Sequence, residues 1–299
     1  MGEAGQNRPS PRPSAPPARP TTLPASGTTA GRRGKVVTIT SGKGGVGKTT
    51  TTANLGVALA RLNKKVVLID ADIGLRNLDV VMGLENRIVY DLVDIIEGRC
   101  KLRQALIKHK QFPELYLIPA AQTRDKTAVS PADMIQLTRQ LREEFDFILI
   151  DCPAGIERGF RNAIAPADQV LIVTNPEVSA VRDADRIIGL IEAENKGPGL
   201  LILNRLKPEM VRKGEMLSPD DVTDILAVKI IGIVPEDEQV IPASNSGVPV
   251  TLNENSRAGL AFRNIARRLN GEEVPFMQLD GGGNILQRFV KFFVGSNSE

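Results

Sequence analysis

Short apolar runs alternate with longer segments of helical period along most of the chain. The strand-like runs are Val36–Thr40, Val66–Asp70, Leu115–Pro119, Phe147–Asp151, Gln169–Thr174, Leu200–Asn204 and Ile230–Pro235. The helical segments are Thr50–Leu62, Ala132–Glu144, Ala180–Glu194, Asp220–Leu226 and Ala258–Leu269. Because the runs are apolar at nearly every position, they are predicted to be buried on both faces. The pattern therefore predicts a three-layer α/β domain with a mostly parallel central sheet.

The two ends of the chain differ from this pattern. Residues 1–34 contain seven prolines, five arginines and a single acidic residue, a composition that predicts a disordered leader. An Arg-rich, acid-poor leader is also typical of organelle transit peptides, so this alternative stays open. The folded domain is predicted to cover residues 35–275. A Gly-containing flexible linker, 276–283, then leads to a predicted amphipathic helix over residues 284–294.

Charge and composition exclude several classes of protein. Outside the leader the chain has 33 basic and 34 acidic residues, so no net basic domain for nucleic acid is indicated. Two cysteines without C-x-x-C spacing and one histidine do not favour a disulfide framework, a zinc site or an iron–sulfur site. Cys152 is expected to be a buried thiol rather than a reactive one. No apolar stretch is long enough to cross a bilayer.

A glycine-rich loop follows the first apolar run and precedes the first helical segment. It consists of Gly42, Lys43, Gly44, Gly45, Val46, Gly47, Lys48 and Thr49, and it matches the pattern G-x-x-x-x-G-K-S/T. Such a loop turns backbone N–H groups toward phosphate, while Lys48 adds charge and the Thr49 hydroxyl can bind Mg²⁺. The loop, with Thr50 after it, is predicted to bind a nucleoside triphosphate. The alternative is a merely flexible glycine loop.

Three aspartates stand at the ends of predicted strands. Asp151 follows an apolar run and has the form of a Walker-B carboxylate that steadies Mg²⁺. Asp70 and Asp72 end the second run, where a carboxylate can hold a Mg²⁺-bound water or position the attacking water. The metal is therefore predicted to lie near Thr49, Asp70 and Asp151. The alternative is that these acids are turn residues at strand ends.

The second lysine of the loop, Lys43, is not needed in an ordinary phosphate loop. With it, the loop resembles the deviant Walker A motif K-G-G-x-G-K-T of the ATPase family that includes MinD, ParA and the nitrogenase iron protein. The resemblance implies that two nucleotides are sandwiched in a homodimer and that Lys43 reaches the partner's phosphates. It implies ATP hydrolysis that depends on dimerisation, with Lys43, Lys48 and Asp72 as catalytic residues.

Within this family the chain is similar to the MinD branch over about residues 35–276 and the tail. The matching stretches are Asp72–Asp79, Gln104–Lys108, Gln122–Lys126, Asp151–Gly155, Thr174–Val178 and Val181–Arg186. The resemblance implies that Asp72 positions the hydrolytic water and that Asn204 and the segment around Pro235 contact the base. It also implies that Arg182–Arg186 lies near dimer or partner surfaces.

The same resemblance implies a role in placing the division site. The partners would be a MinC-like inhibitor of FtsZ ring assembly and a MinE-like or other topological stimulator, with no specific nucleic acid. Three related functions remain as alternatives: chromosome or plasmid segregation as in ParA, flagellar placement, and electron transfer as in the nitrogenase iron protein.

The tail carries a separate signal. Five apolar side chains fall on one face of the predicted helix: Ile285, Leu286, Phe289, Val290 and Phe293. Such a face predicts an interfacial helix that binds an anionic membrane surface, and the alternative is a terminal helix packed on the domain. The protein is accordingly expected in the cytoplasm and on the inner face of the cell membrane. If the leader is a transit peptide, the plastid stroma and inner envelope replace these locations.

Overall fold

The computed structural model describes Met1 and residues 34–278. The strands are β1 (Lys35–Thr40), β2 (Val66–Asp70), β3 (Ile107–Lys108), β4 (Leu115–Ile118), β5 (Phe147–Asp151), β6 (Gln169–Thr174), β7 (Leu200–Leu206) and β8 (Lys229–Pro235). The longer helices are α1 (Lys48–Arg61), α5 (Pro131–Leu141), α6 (Arg158–Ile164), α7 (Val178–Ala193), α9 (Pro219–Leu226) and α11 (Arg257–Leu269). The short helices are α2 (Leu78–Val81), α3 (Leu92–Ile96), α4 (Leu102–Ala105), α8 (Pro208–Arg212) and α10 (Val240–Asn245).

All eight strands join one sheet in the order β3-β4-β2-β5-β1-β6-β7-β8. Every neighbouring pair is parallel except β3 with β4. The first strand thus lies in the middle of the sheet, between β5 and β6. In open α/β sheets ligands bind beyond the carboxyl ends of the strands, near such a central crossover. The sheet order therefore places the loop after β1 at the expected position for a ligand.

Helices cover both faces of the sheet, as the apolar strands predicted. One apolar cluster joins the sheet to α3, α5, α6, α7 and α9. A second cluster joins the opposite face to α1, α2 and α11. Neighbouring residues of a strand point to opposite faces, so Val36 belongs to the first cluster and Val37 to the second. The predicted three-layer α/β fold with a mostly parallel sheet is confirmed.

Sequence periodicity missed the five short helices, α6 and the edge strand β3. Elements of two to seven residues are too short to show a repeat of 3.6 or 2 residues, and tertiary contacts and local caps hold them. One such contact joins α2 to α10. A Cβ atom on Gly83 would lie 2.8 Å from the Gly247 carbonyl oxygen, so the two backbones meet where only glycine fits.

The end of the folded domain lies slightly beyond the predicted boundary at residue 275. Phe276 and Met277 are partly buried and pack against the two apolar clusters, so the first residues of the predicted linker, 276–283, belong to the packed domain. The predicted leader, 1–34, lies outside the described residues except for its two ends, and the predicted helix, 284–294, lies wholly outside them. Across residues 34–278, no helix is long and apolar enough to span a membrane.

Candidate nucleotide-binding site

The glycine-rich loop joins β1 to α1 at the carboxyl edge of the sheet. Gly45 and Gly47 have φ angles of 77° and 102°, in the left-handed region that favours glycine. Gly47 is the N-cap residue of α1 and, having no side chain, provides no side-chain cap for the N–H groups of the first helical turn. These N–H groups and the positive end of the helix dipole suit an anion. The local structure is therefore that of a phosphate-binding loop.

The two lysines of the loop lie in contrasting surroundings. Lys48 begins α1 and is 8% exposed, whereas Lys43 is exposed to solvent. The hydroxyl of Ser41 donates a hydrogen bond of 2.8 Å to the Lys43 carbonyl, so the backbone of Lys43 is held while its ammonium extends outward. Lys48 is thus placed to meet a phosphate within the subunit. The Lys43 side chain is accessible to solvent.

Asp151 is the buried carboxylate beside the loop. It accepts a hydrogen bond from the Thr52 hydroxyl at 3.2 Å and another from the Thr49 side chain. Burial raises the pKa of Asp151 to about 7, and the nearby charge of Asp70 acts in the same direction. Asp70 is the register partner of Asp151 on the neighbouring strand, so two carboxylates end side by side. A divalent cation would offset their repulsion.

Asp70 has a second role that the motif did not reveal. One oxygen accepts the N–H of Asp72 at 3.0 Å, and the other accepts the N–H groups of Asn77 and Leu78 at 3.2 Å each. Burial raises the pKa of Asp70 to about 6, against these hydrogen bonds, which lower it. Because the three donors lie in the loop after β2 and at the first residue of α2, Asp70 organises the segment that carries Asp72. We therefore assign Asp70 to loop organisation as well as to the metal region.

Asp72 is half-buried at the start of this loop. It lines a cavity of about 20 Å³ together with Ala71, Ile73, Leu92, Val129, Met134, Pro153, Gly159 and Asn162. A cavity of this size holds about one water molecule. The lining is mostly apolar and includes no residue of the phosphate-binding loop.

An ion pair closes the same loop and was not foreseen from the sequence. Arg76 Nε lies 3.0 Å from Asp79 Oδ2, and the Asp79 side chain is fully buried. Burial raises the pKa of Asp79, and the positive charge of Arg76 opposes this rise. Arg76 also has a φ angle of 31°, which places its backbone in the left-handed region. The spacing of three residues was the only sequence signal for the pair.

Asn204 lies near the end of β7, and Pro235 is the last residue of β8. The Asn204 amide donates a hydrogen bond of 2.7 Å to the Val46 carbonyl, so it supports the phosphate-binding loop directly. An open groove of about 670 Å³ begins next to both residues, and its volume suits a small-molecule ligand. Its lining includes their chain neighbours Arg205 and Glu236, together with Pro176, Glu177, Lys207 and Met216. Asn204 and Pro235 themselves are not among the lining residues.

The predicted partner segment Arg182–Arg186 lies on α7 and touches the loop. A Cβ atom on Gly42 would lie 2.2 Å from the Asp183 carbonyl oxygen, so the loop and the helix are in direct contact. Arg182, Asp185 and Arg186 are exposed on the outer side of the helix. This charged surface is therefore one residue away from a direct contact with the loop.

Comparison with known proteins agrees with this geometry. The family model described as AAA domain matches residues 34–197. Septum site-determining protein MinD from Bacillus subtilis (strain 168) is 54% identical over 267 residues, which are 89% of this chain and 100% of that protein. A chain of the solved MinC:MinD cell division protein complex from Aquifex aeolicus is 50% identical with a TM-score of 0.77. The match covers 82% of this chain and 99% of that one.

A third relative was solved with its nucleotide. The septum site-determining protein MinD complexed with Mg-ADP from Pyrococcus horikoshii OT3 is 31% identical, with a TM-score of 0.71, over 79% of this chain and 96% of that one. Because a relative with more than half of its residues identical is a septum-site protein, segregation and flagellar placement are not favoured. The deviant phosphate loop, the paired carboxylates and this similarity together show that the chain belongs to the MinD family of septum-site-determining P-loop ATPases.

Proposed function

We propose that ATP pairs two copies of this chain, that pairing attaches them to the membrane, and that hydrolysis releases them. The observation that carries the proposal is the contrast between buried Lys48 and exposed Lys43. Of the two lysines, Lys48 meets the nucleotide of its own subunit. The Lys43 ammonium makes no ion pair among residues 34–278, and it serves the phosphates held by a second copy.

Within one subunit the loop N–H groups and Lys48 hold the phosphates of ATP. The remaining donors near the phosphate end are the hydroxyl of Thr49 and the carboxylates of Asp151 and Asp70, an all-oxygen set that suits Mg²⁺. Bound Mg²⁺ would neutralise phosphate charge during transfer. The base enters the groove beside Asn204 and Pro235, where Asn204 also keeps the Val46 carbonyl in place. Thr50, which is half-buried in the first turn of α1, is the last residue of the phosphate-binding site.

Hydrolysis depends on Asp72 and on the second subunit. Asp72 orients the attacking water, and Asp70 holds the Asp72 backbone by accepting a hydrogen bond from its N–H. Lys43 of a paired copy adds positive charge where negative charge develops in the transition state. Because this charge comes from outside the subunit, a single copy hydrolyses ATP slowly.

Membrane attachment follows from pairing. The apolar face of Ile285, Leu286, Phe289, Val290 and Phe293 belongs to a segment too short to bind strongly alone. Two tails in one dimer act as a bivalent anchor, which strengthens attachment by roughly 10²–10⁴-fold. The dimer therefore stays on an anionic membrane surface while ATP is intact, and its subunits return to the cytoplasm afterwards.

The bound dimer recruits an inhibitor of FtsZ ring assembly. A MinC:MinD complex of Aquifex aeolicus has been solved, and its similarity to this chain supports a MinC-like partner here. The exposed charged side of α7 is the surface we assign to partners, because its contact with Gly42 links it to the nucleotide loop. A MinE-like or other topological stimulator would act at the same dimer. A plastid location remains the alternative should residues 1–34 prove to be a transit peptide.

The pairing step is tested by light scattering on the purified protein with ATP. Asp72→Ala is expected to accumulate as a dimer because it binds ATP and does not hydrolyse it. Lys43→Ala should bind ATP and remain monomeric, and Lys48→Ala should not bind ATP. Dimerisation of Lys43→Ala equal to that of Asp72→Ala would refute the role assigned to the exposed lysine.

The membrane step is tested separately by co-sedimentation with phosphatidylglycerol-containing vesicles. The full chain is expected to sediment with ATP and not with ADP. A variant lacking residues 284–299 should still dimerise yet stay in the supernatant in both cases. Equal sedimentation of the full chain with the two nucleotides would contradict the switch.

A further inference from the structure

Arg268, in the last turn of α11, binds the segment through which the chain leaves the domain. Its Nε donates to the Val274 carbonyl at 2.9 Å, and its Nη2 donates to the Pro275 carbonyl at 2.8 Å. The guanidinium carbon lies 4.3 Å from the centroid of the Phe276 ring, within the range of a cation–π contact. One side chain thus contacts three consecutive residues. We call residues 274–277 the exit segment.

The same guanidinium is tied to the edge of the sheet. Its Nη1 donates to the Ile231 carbonyl at 3.0 Å. Strand β8 is the last strand of the sheet, and its register with β7 skips Ile231, as in a β-bulge. A bulged residue is left out of the ladder, and Arg268 supplies a partner for its carbonyl. The exit segment is therefore fixed to the edge of the sheet as well as to α11.

Apolar packing continues beyond the Arg268 contacts. Phe276 packs against the cluster on one face of the sheet and Met277 against the cluster on the other. The exit segment therefore passes the sheet at its edge. Its four residues have no helical or strand structure of their own, and the Arg268 hydrogen bonds and the apolar packing contribute to holding them. A lysine could not replace Arg268, because a single ammonium cannot donate in the fork that reaches three carbonyls.

We infer that Arg268 is a positioning residue that shortens the tether between the ATPase domain and the membrane-binding tail. The inference rests on the proposed function, in which two tails act together. With the exit segment held, residues 278–283 separate Met277 from the predicted helix at 284, a tether of six residues. With it released, residues 274–283 make a tether of ten. The second tail of a dimer then searches a larger volume before it meets the membrane.

The size of the effect follows from the length of the tether. Effective concentration falls roughly as the −3/2 power of tether length, so lengthening the tether from six to ten residues lowers it by about twofold. Arg268→Gln is therefore expected to weaken ATP-dependent vesicle binding by about twofold. Binding with ADP should be unchanged, because a single tail gains nothing from a partner. ATP turnover without lipid should also be unchanged, because Arg268 lies far along the chain from the loop and contacts none of its residues.

A neighbouring arginine supplies the matched control. Arg267 lies in the same turn, is exposed, and forms an ion pair with Glu272 at 2.7 Å. It has the same charge but makes no contact with the exit segment among the hydrogen bonds and ion pairs of the described residues. Arg267→Gln is thus expected to bind vesicles as the unchanged protein does. A loss in both variants would indicate a general effect of positive charge and would overturn the inference.

A deletion distinguishes tether length from simple structural support. Removing residues 279–283 from Arg268→Gln leaves a released tether of five residues, so binding should return close to that of the unchanged protein. The same deletion in the unchanged protein leaves almost no free tether, and binding should fall because the tails cannot reach the membrane together. Opposite effects of one deletion in the two backgrounds are not expected if Arg268 only stabilises the fold.

The measurement is the lipid concentration at half-maximal binding to phosphatidylglycerol-containing vesicles, for the full chain with ATP and with ADP. Absence of ATP-dependent binding by the unchanged protein would overturn the proposed function itself. Normal binding by the unchanged protein and by Arg268→Gln alike would overturn only the tether inference. If Arg268→Gln does not fold, Phe276→Ala releases the same segment and carries the same expectation.

Discussion

Gly47 and Asn204 are predicted to be energetically coupled, and the coupling can be measured. A Cβ atom at residue 47 would lie 2.4 Å from the Asn204 amide nitrogen, which already donates to the Val46 carbonyl. In Gly47→Ala the Asn204 side chain must move, and that hydrogen bond breaks. The substitution therefore combines two costs, one in the backbone and one at Asn204.

The backbone cost comes from the φ angle of 102° at residue 47, which an alanine adopts at a cost of about 1–2 kcal/mol. Loss of a buried hydrogen bond that leaves its acceptor unpaired costs about 1–3 kcal/mol. Gly47→Ala should therefore lower the free energy of unfolding by about 2–5 kcal/mol, and Asn204→Ala by about 1–3 kcal/mol. In the double variant the hydrogen bond is lost only once. Its destabilisation should be about 1–3 kcal/mol smaller than the sum of the two single effects.

The assay is urea unfolding of the four proteins without nucleotide, followed by far-ultraviolet circular dichroism because the chain has no tryptophan. Gly45→Ala is the matched control, since its φ angle is 77° and a Cβ atom there would meet nothing within 4 Å. Gly45→Ala should lower the free energy of unfolding only by the cost of the positive φ angle. Its effect should add to that of Asn204→Ala without coupling. Additive effects of Gly47→Ala and Asn204→Ala, within about 0.5 kcal/mol, would refute the reasoning.

Three further predictions concern reactivity, pH and ligand binding. Cys152 is 1% exposed and burial raises its pKa to about 12, so alkylation at pH 8 followed by mass spectrometry should modify half-buried Cys100 first and Cys152 only after unfolding. Burial raises the pKa of Asp168, but hydrogen bonds from Arg142 and from the Val36 N–H lower it more, so the pKa lies below 3.8. The stability advantage over Asp168→Asn should therefore be full near neutral pH and disappear as pH falls through that lowered pKa; an advantage that grows with acidity would contradict this. ATP at 100 times its dissociation constant should stabilise the protein by about 2.7 kcal/mol, and Lys48→Ala should show no such gain in a thermal melt.

The local pattern of the sequence was sufficient for the main elements and for the loop. Buried strands and long helices repeat with periods that can be read directly, and a phosphate loop needs glycines and a lysine at fixed spacing. The positions of Asp70 and Asp151 at strand ends were likewise predicted, because parallel strands bring their carboxyl ends to one edge. These features depend on neighbours along the chain.

Other features depend on residues far apart in the chain. Asn204 supports Val46 across 158 positions, and Arg268 joins the exit segment to β8. Three backbone N–H groups donate to the Asp70 carboxylate only because the loop after β2 brings them next to it. The short helices depend on tertiary packing and not on a sequence repeat. Long-range partners leave no periodic signal, because each is chosen by shape and by the need to pair buried polar groups.

The sequence by itself thus determined the class of fold, the nucleotide loop and the acidic residues around it. Only the tertiary structure decided the order of strands, the division between buried Lys48 and exposed Lys43, and the fixed exit of the tail. The physical reason is that hydrophobic periodicity and backbone conformational preference depend on a few neighbouring residues. The burial of a side chain and the partner of a buried polar group depend on which distant segments pack together.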